Sequence, residues 1–204
     1  MAQDLNRIKE SASQTAGPYV HIGLTPNFCG IDGIFPEDLG ASLVSDQTKG
    51  ERISVVIRVF DGTGSVLKDA LVETWQADAE GLYNSPSETR GAADPAFSGW
   101  GRFPSDMESG EIRFETIKPG PVPFPGGRMM APHINLWIVA RGINLGLATR
   151  LYFGDEEAAN ADDPVLARIE HRNRVPTLIA SRDGDVYTFD IHLQGEKETV
   201  FFDI

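Results

Sequence analysis

Alternation with a period of two residues constrains this chain more than any other property of its sequence. Glu111-Ile112-Arg113-Phe114-Glu115-Thr116-Ile117 and Val186-Tyr187-Thr188-Phe189-Asp190-Ile191-His192-Leu193 place an apolar residue, or the small Thr116, at every second position. In an extended strand those residues all face one way. Arg52 to Phe60, Leu71 to Gln76, His133 to Ala140, Ala148 to Phe153 and Thr177 to Ala180 read as further short strands. Asp61-Gly62-Thr63-Gly64 supplies turn chemistry and predicts a hairpin-like pairing of the first two of these. Arg182-Asp183-Gly184-Asp185 predicts a two-residue type I′ turn. Asp162-Asp163-Pro164-Val165-Leu166-Ala167-Arg168-Ile169 reads as an N-cap, a proline in the first turn and a short helix. With 21 Gly and 13 Pro punctuating 204 residues, the expectation is a single all-β domain over 1–204. It is an antiparallel β-sandwich with one or two short helices and long loops at 77–110 and 118–130.

Charge narrows the partners. Eighteen basic residues against 30 acidic give −12, a surface that repels phosphate backbones and anionic lipid headgroups, so nucleic acid and membrane are not expected partners. The start of the chain has no basic region followed by an apolar core, and no eighteen apolar residues run together. With one cysteine, Cys29, no internal disulfide can form, and the expected setting is cytoplasmic. Cys29 has no general base at useful spacing and reads as a structural thiol. There is no Gly-x-Ser-x-Gly elbow, phosphate-binding loop, Cys-x-x-Cys or His-Glu-x-x-His. The acidic residues Asp155, Glu156, Glu157, Asp162 and Asp163 lack the ligand order of a calcium loop and read as a solvated helix edge. His21 and His171 have no ligand neighbours and receive no role.

One strand carries metal chemistry in half measure. His-x-His on a strand is a two-point claw for iron or zinc, because both imidazoles leave the same face. Here the stretch is His133-Ile134-Asn135, with an amide at the second position. Arg141, where the same strand runs into the loop Ala140-Arg141-Gly142-Ile143-Asn144, is a candidate carboxylate clamp or simply an exposed arginine.

Several segments occur in the order found in the intradiol ring-cleavage dioxygenases. They are Gly17-Pro18-Tyr19-Val20-His21, Trp75-Gln76-Ala77-Asp78-Ala79-Glu80-Gly81-Leu82-Tyr83, Lys118-Pro119-Gly120-Pro121-Val122-Pro123, Ala131-Pro132-His133-Ile134-Asn135, Ala140-Arg141-Gly142-Ile143-Asn144, and the ending Gln194-Gly195-Glu196-Lys197-Glu198-Thr199-Val200-Phe201-Phe202-Asp203. From end to end the chain resembles the alpha-type chains of that family's two-chain members. The resemblance implies a non-haem Fe(III) site of two tyrosines and two histidines, of which this chain keeps Tyr83 and His133. Val122 and Asn135 stand at the other two ligand positions, so the resemblance places the iron in a homologous beta chain and none in this one. It further implies that Thr15, Gly17, Pro18 and Arg141 contribute to a substrate pocket for a small aromatic acid, protocatechuate. Residues 1–50 would form an N-terminal arm against the partner, in alpha-beta protomers of a larger oligomer. Catalysis would need both chains, and this chain alone would supply no catalytic residue.

Two rival readings remain open at this point. A stand-alone β-sandwich binding a small aromatic acid or a protein would also suit an acidic β domain. A solitary metalloenzyme would have to assemble Tyr83, His133 and His192.

Overall fold

The computed structural model describes residues 14–17, 19–144 and 146–203. Among the described residues there are ten strands: β1 (Arg52–Phe60), β2 (Leu71–Trp75), β3 (Trp100–Pro104), β4 (Glu111–Ile117), β5 (Val122–Phe124), β6 (Arg128–Met130), β7 (His133–Val139), β8 (Leu147–Phe153), β9 (Ile179–Asp183) and β10 (Val186–His192). Eight form one sheet in the order β3-β2-β7-β8-β9-β10-β1-β4, and β5 and β6 form a small hairpin beside it. Two short α-helices, α1 (Val20–Leu24) and α2 (Glu157–Asp162), join 3-10 turns at Leu166–Arg168 and Arg172–Leu178.

The expected all-β character is observed, but the sheet is mixed rather than antiparallel. β1 runs parallel to β10 and β8 parallel to β9, while the other pairs in the sheet are antiparallel. The expected pairing of β1 with β2 does not form. β1 has β10 on one side and β4 on the other, and the Asp61 turn closes only an isolated bridge between Phe60 and Val66. A turn sequence fixes where the chain reverses, whereas the strand that ends up alongside is chosen by burial. The β9–β10 hairpin is present with Asp183 opposite Val186. Its loop is Gly184-Asp185, with positive φ at Gly184 (62°) and at no described non-glycine residue. That is the type II′ pattern, not I′.

Both long loops contain strands. β3 lies within 77–110, and the β5–β6 hairpin spans most of 118–130. Trp100-Gly101-Arg102-Phe103-Pro104 has little intrinsic strand preference and becomes a strand through its pairing with β2. The helix expected over 162–169 is displaced: α2 ends at Asp162, Asp163 is extended, and only a 3-10 turn follows at Leu166–Arg168.

The alternation is realised in packing. Ile53, Val55, Ile57 and Val59 of β1, Ile112 and Phe114 of β4, and Tyr187, Phe189 and Ile191 of β10 are buried in one core with Ile134, Leu136 and Ile138 of β7 and Leu151 and Phe153 of β8. Phe103 of β3 stacks on Phe114 of β4 with ring centroids 4.5 Å apart, so the two ends of the strand order meet through that core. A second, smaller core of Ala131, Tyr152, Leu166 and Leu178 packs on the opposite face of β8.

Asp163 joins that second core to the sheet, and it corrects the reading of the acidic run as a solvated edge. Its side chain is fully buried. One oxygen accepts from the backbone N–H groups of Val165 and Leu166 at 2.8 Å, and the other accepts from Ala131 N at 2.8 Å. Asp155, in the same run, accepts from Lys118 and Arg182 at 2.6 Å and from the Tyr187 hydroxyl at 2.9 Å. Burial opposes its ionisation, yet those hydrogen bonds hold its carboxyl down at about 2. Removing Asp163 strands buried N–H donors, each of which costs about 1–3 kcal/mol. Asp163→Ala is therefore expected to lower unfolding stability by about 3 kcal/mol in urea titration; a loss below about 1 kcal/mol would show that the tie is dispensable.

Candidate functional site

Strand register builds the site. Trp100 of β3 lies opposite Trp75 of β2, Trp75 opposite Asn135 of β7, and Asn135 opposite Arg150 of β8. Residues directly opposite across a pleated sheet share a face, so these four form one row across four strands. His133 and Tyr152 are the next pair along, with rings 5.6 Å apart. The intervening residues Ile134, Leu136 and Leu151 point the other way, into the main core.

Of the four degenerate ligand positions, three meet on this face. His133 is buried, its Nδ1 bonded to Ala131 O at 2.7 Å, while its buried Nε2 has no partner among the described residues. Asn135 donates from Nδ2 to Trp75 O at 3.1 Å. Tyr83 stacks on Trp75 at 5.5 Å. Val122, the fourth, is buried in β5 opposite Met130.

Arg150 is the group that sequence reasoning missed. Its Nη1 donates to Met130 Sδ at 3.4 Å and to the Tyr152 hydroxyl at 3.3 Å, and its charge acts on both His133 and Tyr83. The period of two in β8 already places Arg150 on the face of Tyr152. What faces it in β7 is a matter of register.

These residues do not suit a ferric ion. Valine has no donor, and the asparagine amide is neutral and already engaged. A tyrosine ligand must lose its proton, but burial pushes the Tyr83 phenol up, with Asn135, Arg150 and Arg90 only partly offsetting it. The guanidinium of Arg150 adds a fixed positive charge beside the remaining imidazole. Among the described residues no three His, Cys, Asp or Glu side chains gather in a metal-binding group. His192 stacks on Phe60 at 4.8 Å in β10, three strands from β7, and is not brought to Tyr83 and His133.

The expected substrate-binding residues lie elsewhere. Thr15 donates from Oγ1 to Ala140 O at 3.3 Å and accepts from Gly142 N at 3.0 Å, clasping the turn that carries Arg141. Arg141 extends from that turn, 64% exposed, with its Nε paired to Asp69. The carbonyl of Gly17 accepts from Val20 N at 3.1 Å, and its Cα has open space around it. Pro18 lies outside the described residues. Thr15 and Arg141 are thus together, at the far end of β7 from His133. The six strand steps from His133 to Val139 alone span about 20 Å.

Against this geometry, comparison with known proteins gives the family. A family model described as Dioxygenase matches residues 26–195, and the chain belongs to the intradiol ring-cleavage dioxygenases. It is 46% identical over 200 residues to the protocatechuate 3,4-dioxygenase alpha chain of Pseudomonas putida, covering 96% of this chain and 97% of that one. It is 35% identical over 182 residues to the protocatechuate 3,4-dioxygenase beta chain of Burkholderia cepacia, covering 80% of this chain and 76% of that one. In three dimensions it resembles an intradiol ring-cleavage dioxygenase from Tetranychus urticae at a TM-score of 0.57 and 21% identity, over 78% of this chain and 89% of that one. This last likeness is one of fold.

Burial of His133 has a measurable consequence. Desolvation, reinforced by Arg150, brings its pKa from 6.5 down to about 4, against the pull of Ala131 O and Asp163. The unfolded chain therefore binds a proton that the folded chain refuses between pH 6.5 and 4. Stability is full above about pH 6.5 and falls as the pH drops towards 4, by about 3 kcal/mol in all. Urea midpoints at pH 7 and pH 4.5 are expected to differ by less in His133→Gln than in the parent protein; equal differences would assign the loss to other groups.

Proposed function

We propose that this chain is the alpha-type subunit of a protocatechuate 3,4-dioxygenase. A homologous beta chain holds the Fe(III), and the pair opens the aromatic ring. Protocatechuate takes up one O2, the bond between its two hydroxylated carbons breaks, and each of those carbons gains one oxygen atom. The product is 3-carboxy-cis,cis-muconate, an intermediate of aromatic catabolism by the beta-ketoadipate route. The observation that carries this reading is the separation within the chain of its two sets of site residues. Thr15 and Arg141 sit at one end of β7 and the degenerate ligand positions at the other, about 20 Å away. Substrate-binding groups that cannot serve a site in their own chain suit a site in a neighbour.

In this reading Arg141 gives the anionic substrate a fixed, bidentate cation. Thr15 fixes the backbone around it, and Gly17 and Pro18 let the arm approach closely. The arm is the part of residues 1–50 that meets the beta chain. Support comes from Tyr19, Ile22, Phe28, Ile34 and Leu39, which are large, apolar and between 41% and 76% exposed. Iron is assigned to the beta chain because His133 and Tyr83 lack their two companion ligands and Arg150 stands beside them. The whole chain is taken as one domain, its sheet curling into a sandwich, a reading favoured by the Phe103–Phe114 contact between its end strands. A cytoplasmic setting suits the single Cys29. No helix among the described residues is long and apolar enough to cross a membrane.

Co-expression with the homologous beta chain tests the proposal. Oxygen uptake with protocatechuate is expected from the complex and not from this chain alone, with iron recovered in the beta chain. Arg141→Ala should raise KM about tenfold at unchanged iron content, the cost of one charge-assisted contact. Stoichiometric iron in the isolated chain would favour a solitary metalloenzyme, and no ring cleavage with the beta chain present would leave the stand-alone binding module as the better account.

A further inference from the structure

The face carrying His133 and Asn135 also bounds a cavity of about 530 Å³ that the proposed reaction does not use. Its walls include Trp75, Trp100, Trp137 and Phe202, and Asn135 and Arg150 contribute its polar side. The volume lies within the range of small-molecule sites, and the lining combines four aromatic and three aliphatic side chains with six polar or charged ones. The tryptophans are held in place: Tyr83 stacks on Trp75, Arg102 lies over Trp100 at 5.2 Å, and the Trp137 indole covers Gly146 so closely that a Cβ there would collide with it.

Arg150 is distinctive for what it lacks. Arg58, Arg90, Arg102, Arg113, Arg141, Arg174 and Arg182 each pair with a carboxylate, and Arg52, Arg128, Arg168 and Arg172, which do not, are exposed and bond backbone carbonyls or lie over a ring. Arg150, half-buried, has none within 4.0 Å among the described residues; its partners are a thioether, a phenol and the ring of Phe202 at 5.9 Å. A guanidinium offers five donors in a planar fork, and two long contacts to neutral atoms leave most of them unused. The missing partner is a planar two-oxygen anion. Glu73, on the cavity wall, is engaged by Arg102 at 2.7 Å, and Asp203 stands exposed at the rim. Those two carboxylates, in a chain of net charge −12, disfavour a ligand with more than one negative charge.

We propose that this chain has its own iron-independent binding site for a planar aromatic monocarboxylate, the ring against Trp75, Trp100 and Trp137 and the carboxylate on Arg150 beside Asn135. The site is separate from the Arg141 patch and does not rest on the proposed partnership with a beta chain.

The chain's three tryptophans all line this cavity, so their fluorescence reports its occupancy. Titrating the full-length chain with 4-hydroxybenzoate should give saturable quenching. The neutral 4-hydroxybenzamide and the tricarboxylate 3-carboxy-cis,cis-muconate should give none in the same range. Arg150→Ala should weaken binding about tenfold to a hundredfold, the cost of one charge-assisted pair. Arg150→Lys should fall between, and Arg141→Ala should bind as the parent does. No saturation below about 10 mM, or equal binding of acid and amide by the parent protein, would overturn the proposal whether or not the Arg150 variants fold. Loss of binding in Arg141→Ala would instead move the acid to the other patch. Ring cleavage with the beta chain is read separately, so failure of either proposal leaves the other standing.

Discussion

The register that holds β3, β2, β7 and β8 side by side is the constraint on which this molecule's chemistry depends. A slip of one residue in β7 would turn His133 and Asn135 into the main core and bring Ile134 and Leu136 out. Burial of Ile134, Leu136 and Ile138 among the side chains of β1, β4, β8 and β10 forbids that slip. Core packing and site geometry are thus one requirement: the same alternation that buries the aliphatic residues presents Trp100, Trp75, Asn135 and Arg150 in a row.

That row accounts for how a chain can keep a dioxygenase fold while its ligand positions no longer suit iron. Where the resemblance implies a second histidine and a second tyrosine, Asn135 and Val122 offer a neutral amide and no donor, but the space is not empty of charge. Arg150 supplies a positive charge where the resemblance leads one to expect a metal, and it lowers the affinity of His133 for a proton as a cation would. The surrounding structure stays well packed: Asp163 accepts from Val165 and Leu166 within its own turn, from Ala131 just before β7, and at longer range from the Tyr152 hydroxyl of β8. Stability here depends on a buried carboxylate and aromatic packing, neither of which needs a metal.

Much of the fold was legible because its elements are short and strongly patterned. β1, β4 and β10 could be read from their alternation, and β7 and β8 from their β-branched and apolar runs. β3 escaped because Gly101 and Pro104 depress strand preference, and its pairing with β2 is long-range. The helix was misplaced by a few residues because Asp163-Pro164 looks like a cap, and it does cap, but only a single 3-10 turn. Among the site residues, Tyr83, His133, Asn135 and Thr15 could be found through motif order. Arg150, Trp100 and Trp137 could not, because nothing local marks them: each becomes part of a site only through the strand opposite.

The sequence by itself determined that this is an acidic all-β chain, which strand faces are apolar, and that Val122 offers a metal no donor and Asn135 only a neutral amide. Those are properties of residue type and of the two-residue period, and both are local. The tertiary structure decided the partners of each strand, the parallel joins of β1 with β10 and β8 with β9, and the burial of Asp163. It also decided the distance between Arg141 and His133 and the placing of Arg150, without a carboxylate partner among the described residues, on a cavity that three indoles also line. Each of these depends on which distant segment lies alongside, a choice made by the burial of the whole core and written in no single stretch of the chain.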